Sequence, residues 1–199
     1  MAQRRRKKRT VQEFKPDKVQ TNFLDKLYLT KRQRATLLRW FSYGAICLVL
    51  LLIQDVIMSR VSIFGTTTDL VVAAIFLIGI YYGPETGGLF TLIAALLYLF
   101  AGSAPGPYII AIMIFPVVGL GAFRVAFLQR GFSSTVLCAA ICVMVYEIAV
   151  FGVGVFLGLT MWSRFIYFVI TGLLTVAVML PLYPLVNAIA KIGGEPWKE

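Results

Sequence analysis

Histidine is absent from this chain of 199 residues. Its absence excludes Ser-His hydrolases, H-E-x-x-H metalloproteases and most metal centres, because these sites use an imidazole as base or ligand. There is also no G-x-x-x-x-G-K-[ST] loop, and therefore no P-loop for ATP. Cys47, Cys138 and Cys142 lie in apolar stretches without metal-ligand spacing, so we interpret them as small buried hydrophobic residues. We expect a protein that is not an enzyme, with no catalytic residue, cofactor or metal.

Charged residues are scarce and are concentrated at one end of the chain. Lys, Arg, Asp and Glu make up 14% of the sequence, against about 25% in ordinary soluble domains. Residues 1–39 hold thirteen Lys and Arg but only three acids, a net charge of +10. The remaining residues hold six basic and six acidic side chains, and 59% of the whole chain is hydrophobic. The chain therefore combines a basic tail with an apolar body.

The apolar body divides into six runs separated by breaks rich in Gly, Pro or charge. A membrane-spanning helix needs about 20 residues to cross a hydrocarbon core about 30 Å thick. We predict an all-α integral membrane protein, with a six-helix transmembrane domain at 40–191, a basic tail at 1–39 and a short tail at 192–199. The predicted helices cover residues 38–58, 69–83, 87–102, 108–128, 133–160 and 164–190.

The second and third runs are short for membrane spans. Only fifteen uncharged residues separate Asp69 from Glu85, and the third run extends from Gly87 to Gly102. At 1.5 Å per residue, neither run reaches about 30 Å. Two arrangements remain open: a pair of short spans surrounded by protein, or a re-entrant hairpin covered by protein or water. Both leave the orientation of the later helices unchanged.

The distribution of Lys and Arg predicts the orientation in the membrane. With six spans and a cytoplasmic N-terminus, seventeen basic residues lie on the cytoplasmic side, and only Arg60 and Arg164 lie outside. Because cytoplasmic loops are enriched in Lys and Arg, we predict a multi-pass protein of the cell membrane with both termini in the cytoplasm.

The basic tail is expected to lie at the membrane surface. Its "RRRKKR" stretch has no apolar side chains to bury and is typical of disorder, whereas residues 21–39 have a broken apolar stripe that is typical of an interfacial helix. The tail is open to three interpretations: a lipid anchor, a docking arm for a cytoplasmic partner, or a topology signal. No aromatic residue is interleaved in residues 1–13, so we do not expect nucleic-acid binding. The predicted membrane-surface residues are Arg4, Arg5, Arg6, Lys7, Lys8 and Arg9.

Glu147 is isolated within the fifth apolar run, with no charged residue within sixteen positions on either side. A charged carboxylate at the centre of a bilayer costs at least about 2.5–3.5 kcal/mol, so we expect a largely neutral, inward-facing Glu147 that donates a hydrogen bond. Thr171, Thr175 or a carbonyl freed near a proline is the expected acceptor. A structural cross-link, a partner contact and ligand or proton binding all remain open as its role.

Small residues near Glu147 indicate a close approach of helices. Gly154 and Gly158 fall near its helix face, seven and eleven positions away, where a lipid-facing stripe would more naturally carry Leu, Ile or Phe. The pair Gly79 and Gly83 has the same small-x-x-x-small spacing. We predict that these glycines lie at helix contacts.

Four segments of the chain resemble the MreD family of bacterial rod-shape-determining membrane proteins. They are "TTDLVVAAIFLIGIYYGPETGGLF" at 67–90, "VVGLGAFRVAF" at 117–127, "VYEIAVF" at 145–151 and "LPLYPLVNAIAK" at 180–191. The resemblance draws attention to Asp69 at the start of a short span and to the pair Tyr146 and Glu147. With Gly154 and Gly158, these are the residues that we expect to make bundle or partner contacts.

The resemblance implies a non-enzymatic scaffold of the cell-elongation and peptidoglycan-synthesis machinery in the bacterial cell membrane. The implied partners, besides membrane lipids, are an MreC-like single-span protein and, through it, the RodA polymerase, a transpeptidase and MreB filaments. The implied fold is similar to the six-helix S components of energy-coupling-factor transporters.

That fold similarity supplies an alternative function, a substrate-binding S component of a small-molecule (vitamin-type) transporter. Such a protein needs a pocket open to the outside, with a few converging polar groups. The predicted outer loops supply Gln54, Asp55, Arg60, Thr66, Thr67, Thr68, Ser103, Tyr108, Trp162 and Arg164.

Overall fold

The computed structural model describes residues 31–58, 65–102, 104–128 and 131–192. The predictions made for the basic stretch at 4–9, for Arg60 and for Ser103 lie outside the described residues, as does most of the predicted tail at 192–199.

The described part of the chain is all-helical, with six α-helices and no β-strand, which confirms the predicted class and number of helices. They are α1 (Lys31–Ile53), α2 (Leu70–Tyr82), α3 (Pro84–Phe100), α4 (Ile109–Phe127), α5 (Phe132–Phe156) and α6 (Phe165–Ala190). A π-helical turn, Gln54–Met58, extends α1, and a 3-10 turn, Trp162–Arg164, precedes α6.

Four segments are long and apolar enough to cross a membrane. They are Gln33–Val56, Ile109–Phe127, Phe132–Phe156 and Trp162–Ala190, whereas α2 and α3 are shorter apolar helices. The chain is therefore a membrane protein by the length and composition of its helices.

Three helix ends differ from the predicted ones by three residues or more, and one of them is the start of α3, at Pro84 instead of 87. Within the described residues, α1 already includes Lys31 to Arg39, which belong to the predicted tail, because basic residues and leucines favour helix and continue the turns that lead into Trp40. Helix α5 ends at Phe156, before the predicted end at 160, because Gly158 has a φ of +71°. The backbone N–H of Leu159 then donates to the Gly154 carbonyl oxygen at 2.8 Å and closes the helix end.

Consecutive helices alternate in direction, and two buried or partly buried charged residues mark the ends of the bundle. Arg124, near the end of α4, contacts the last turn of α2, so we call this end of the bundle the Arg124 end. Asp69, at the start of α2, contacts Tyr98 near the end of α3, so the opposite end is the Asp69 end.

Helix α2 lies at the centre of the bundle. Every residue from 70 to 81 is buried, and α2 contacts all five other helices. With thirteen residues it is only about 20 Å long. Protein therefore covers this short helix on all sides, as both arrangements considered for the second and third runs require.

Helices α2 and α3 pack with almost no space between their backbones. A Cβ added to Gly87 would overlap the Gly79 carbonyl oxygen, and a Cβ on Gly79 would lie 2.6 Å from the Thr91 hydroxyl oxygen. Gly83 joins the helices with a φ of +88°, a conformation that side-chain-bearing residues rarely adopt. The glycines at 79 and 87 thus allow the two helices to touch along their backbones.

Candidate functional site

Asp69 is the N-cap of α2 and ties this helix to its neighbours. One carboxylate oxygen accepts from the Val72 backbone N–H at 3.3 Å, and the other accepts from the Tyr98 hydroxyl at 2.9 Å. The Asp69 backbone N–H donates to the Thr175 hydroxyl oxygen at 3.2 Å. The side-chain oxygen of Gln54 accepts from the Val71 N–H at 3.0 Å. Three of the four N–H groups at the start of α2, those of Asp69, Val71 and Val72, are therefore paired inside the bundle.

Arg124 satisfies the opposite end of the same helix. Its Nη1 donates to the Ile80 carbonyl oxygen at 2.6 Å and lies 3.3 Å from the Tyr81 carbonyl oxygen. Arg124 was predicted only as a cytoplasmic charge, yet just 4% of its surface is exposed. The signal for this role is Gly121 one turn earlier, where a Cβ would lie 3.3 Å from the Pro84 nitrogen.

Three hydrogen bonds join α1 to α6 and to the residue two positions beyond it, at the Arg124 end. Tyr43 donates to the Val186 carbonyl oxygen at 3.0 Å and accepts from the Tyr82 hydroxyl at 3.2 Å. The Arg39 guanidinium donates twice to the Ile192 carbonyl oxygen, at 2.6 and 3.0 Å. Tyrosines with apolar rings and hydrogen-bonded hydroxyls are typical of the membrane–water interface. This cluster ties α1, α2 and α6 together at the Arg124 end of the bundle.

At the Asp69 end, a cavity of about 700 Å³ lies between α5, α6 and the segment that precedes α2. Glu147 forms part of its wall with only 5% of its surface exposed. A Cβ added to Gly172 on α6 would lie 3.4 Å from Glu147 Cγ, so the acid's side chain runs along the surface of α6. The cavity is lined by Gly65, Thr66, Thr67, Glu147, Arg164, Tyr167, Phe168 and Thr171.

The hydrogen bond predicted for Glu147 is not found among the residues that the structure describes. Thr175 interacts instead with Asp69, since its hydroxyl accepts from the Asp69 N–H. Thr171 lines the same cavity as Glu147 without a hydrogen bond between them. The expectation of a cross-link to either threonine was wrong, because the carboxyl group lies at an open cavity and not at a closed helix contact.

Tyr146, the neighbour of Glu147, points towards the core. It is 3% exposed and its ring packs edge-on against Phe76 of α2, with ring centroids 5.7 Å apart. The Tyr-Glu pair is therefore divided between two environments, the core around α2 and the cavity beside α6.

The glycines predicted on the Glu147 face occupy different surroundings. Gly154 is buried, and a Cβ there would lie 3.2 Å from the Thr160 hydroxyl oxygen, in the loop that follows α5. Gly158 lies beyond the end of α5, and a Cβ on it would meet no atom within 4 Å. The structure thus places Gly154 at a contact within the chain and Gly158 at a free surface.

Of the polar residues predicted in the outer loops, three line the cavity: Thr66, Thr67 and Arg164. Gln54 is bonded to the start of α2, and the Trp162 ring packs on Phe151 with centroids 5.7 Å apart. The cavity therefore uses only part of the predicted set and adds Tyr167, Phe168 and Thr171, which the sequence analysis did not assign to a pocket.

A second concave surface, apolar and of about 470 Å³, runs between α1 and α3. Gly44, Cys47 and Ala94 leave space along its floor, and the Trp40 ring stands at its Arg124 end. We call it the α1/α3 groove; it is lined by Leu37, Trp40, Gly44, Cys47, Thr86, Leu89, Phe90, Ile93, Ala94 and Leu97.

Within the described ranges, no group of three or more His, Cys, Asp or Glu side chains could hold a metal ion, and the three cysteines are buried free thiols. Comparisons of the chain with protein-family models, with curated proteins and with solved structures found no match.

Proposed function

We propose that this protein is a non-enzymatic membrane scaffold of the bacterial cell-elongation machinery, acting in the cell membrane with both termini in the cytoplasm. Its partners in this proposal are membrane lipids and an MreC-like single-span protein that leads to the RodA polymerase, a transpeptidase and MreB. Two observations support it: the four segments that resemble the MreD family, and the α1/α3 groove.

The α1/α3 groove is the structural support for the proposal, because its shape suits a transmembrane helix. Its wall on α1 extends from Leu37 to Cys47, eleven residues or about 15 Å of helix. In a bilayer, helices associate mainly through close packing at small residues, and Gly44 and Ala94 provide such positions in this groove. We assign the groove to the transmembrane helix of the single-span partner.

A stripe of small residues on α4 offers a second surface of this kind. Gly119, Ala122 and Ala126 are exposed, and a Cβ on Gly119 would meet no atom within 4 Å. A scaffold that joins more than one membrane protein needs more than one such surface.

Filling the groove tests the scaffold proposal. A Cβ on Gly44 meets no atom within 4 Å, so Gly44→Leu should fold and place its side chain in the groove. We expect affinity purification from detergent extract to recover the single-span partner with the unaltered protein and to lose most of it with Gly44→Leu.

The matched control is Ala45→Leu, which adds a leucine at the adjacent, exposed position outside the groove. It should recover the partner as well as the unaltered protein does. Equal recovery with Gly44→Leu, or recovery of only a transporter's ATPase and coupling subunit, would contradict the scaffold proposal.

A substrate-binding subunit of a small-molecule transporter is the second candidate function. The cavity beside Glu147 favours it, since its volume lies within the range of ligand sites and polar groups converge on it. Mass spectrometry of small molecules that copurify with the protein, combined with identification of copurified ATPase subunits, separates this candidate from the scaffold.

A further inference from the structure

We propose that the cavity beside Glu147 binds a small zwitterion, with an organic ammonium group against Glu147 and a carboxylate or phosphate against Arg164. We call it the Glu147 site, with the lining residues given above. The inference goes beyond the scaffold function and does not depend on it, because it concerns the isolated chain.

One wall of the cavity is formed by a buried acid, Glu147. Glu147 is 95% buried, since only 5% of its surface is exposed, yet it has no hydrogen-bond partner in the part of the chain that the structure describes. Asp69, the other acid held inside the bundle, accepts hydrogen bonds through both of its carboxylate oxygens. Because buried polar groups are normally paired, an acid that lines an open cavity and has no partner among the described residues is available to bind a group from outside the chain.

The residues around Glu147 favour a positively charged ligand group. Glu147, which is expected to be largely neutral on its own, is stabilised as a carboxylate when an ammonium group offers it three hydrogen-bond donors and a compensating positive charge. The aromatic rings of Tyr167 and Phe168 line the same cavity, and aromatic faces attract organic cations. The inner part of the Glu147 site thus favours an ammonium group over an anion.

The volume of the cavity suits a small organic molecule. A volume of about 700 Å³ lies within the 300–1,000 Å³ typical of sites for small organic molecules. One water molecule accounts for only about 30 Å³ of liquid, so neither a single water nor a bare ion would fill this space. The threonine hydroxyls and aromatic rings in the lining suit a compact organic molecule with polar ends.

Arg164 supplies a positive charge to the cavity wall. Arg164 lies just before α6, and Gly172, beside Glu147, lies eight residues further along, or about 12 Å of helix. The side chains of Arg164 and Glu147 both line the cavity, so one ligand inside it can contact both charges. The guanidinium fork of arginine matches carboxylate and phosphate groups, which favours an anionic outer end.

This chemistry occurs in two sources: a free compound such as an amino acid or aminoalkyl phosphate, and the headgroup of phosphatidylethanolamine. The soluble probes are 4-aminobutyrate and phosphoethanolamine. Their matched controls, butyrate and glycerol 3-phosphate, keep the anion and lack the amine. Nanodiscs of phosphatidylethanolamine, compared with nanodiscs of phosphatidylglycerol, test the lipid source.

The experiment uses the full-length protein purified without partners and measures saturation-transfer NMR and the thermal unfolding midpoint. We expect at least one amine-bearing probe to bind and to raise the midpoint, with no effect from its amine-free control. Binding of a soluble zwitterion identifies a free compound as the source, and an effect confined to phosphatidylethanolamine identifies the headgroup. Absence of any amine-dependent effect overturns the proposal.

Substitutions at the Glu147 site test whether the probes bind there. Glu147→Gln should weaken binding of the effective probe at least tenfold, and Arg164→Gln should weaken it by a smaller factor. The control Glu85→Gln changes an exposed acid at the Arg124 end and should leave binding unchanged. Unchanged binding by a folded Glu147→Gln overturns the proposal.

If Glu147→Gln does not fold, Thr171→Leu, which fills the cavity from α6, takes its place. Loss of binding with Thr171→Leu supports the site, and retained binding overturns it. All these measurements omit the scaffold's partners, so failure here is distinct from failure of the scaffold proposal.

Discussion

Arg124 Nη1 donates a hydrogen bond of 2.6 Å to the carbonyl oxygen of Ile80, so a side chain of α4 completes the end of α2. Asp69 completes the other end through the Val72 N–H. The acid thus lies at the positive end of the α2 dipole and the arginine at its negative end, the favourable arrangement for both charges. A thirteen-residue helix can end inside the bundle because both of its termini have polar partners there.

Replacing Arg124 should destabilise the protein. Arg124→Met keeps much of the aliphatic stem but leaves the carbonyl groups of Ile80 and Tyr81 without this donor. We expect a loss of about 2–4 kcal/mol, since each buried unsatisfied group costs about 1–3 kcal/mol. Thermal unfolding in detergent measures it. Arg164→Met, the control at an exposed arginine, should change stability by less than about 0.5 kcal/mol, and an equal loss in both variants would contradict the role assigned to Arg124.

Asp69 allows a test of capping at the opposite end. Asp69→Ala removes the acceptor for the Val72 N–H and the Tyr98 hydroxyl, so we expect a loss of about 2–3 kcal/mol. Asp69→Asn retains a capping oxygen and should lose less than half as much. The unfolding midpoints of the two variants provide the comparison. If Asn and Ala are equally destabilising, the charge of Asp69 matters more than its hydrogen bonds.

The contact between α2 and α3 predicts a strong effect of one methyl group. Gly87→Ala would force the helices apart, because the new Cβ overlaps the Gly79 carbonyl oxygen. We expect a loss of about 3 kcal/mol, at the upper end of the usual cost of overpacking. Gly152→Ala, at an exposed helical position with no atom within 4 Å, should be neutral or slightly stabilising. A stable Gly87→Ala protein, with an unchanged unfolding midpoint, would show that α2 and α3 are not in backbone contact.

The structure also predicts that Glu147 contributes little to folding. Its carboxyl group has no hydrogen-bond partner within the described ranges and faces a cavity that accommodates a different side chain. We expect both Glu147→Gln and Glu147→Leu to keep the helical circular-dichroism signal and an unfolding midpoint close to that of the unaltered protein. A loss of more than about 1 kcal/mol in Glu147→Leu alone would restore the cross-link interpretation, since that is the usual value of one hydrogen bond.

The number, order and approximate limits of the helices could be predicted because long apolar runs and their breaks are properties of the sequence itself. The central position of α2 could not be predicted in this way, since lipid-facing and protein-facing helices are both apolar. Its short length between Asp69 and Glu85 was the only clue. A membrane helix that is too short to span needs protein around it, and α2 has protein on every side.

The site was only partly predictable for a different reason. Glu147 was singled out because an isolated acid in an apolar run is conspicuous. Its surroundings depend on how α5, α6 and the residues before α2 pack together. The spacing of residues within one segment does not predict this packing. Arg124 was misjudged on the same ground: its position near the end of a span suggests an exposed topology signal, whereas its contacts depend on the end of another helix.

The central position of α2 has a consequence for how the protein is made. During synthesis, α2 enters the membrane before α4, α5 and α6 exist, although these helices form much of its surroundings. Thr175, which accepts from the Asp69 N–H, emerges 106 residues later. Helix α2 therefore acquires its full set of helix contacts only after α6 has been synthesised.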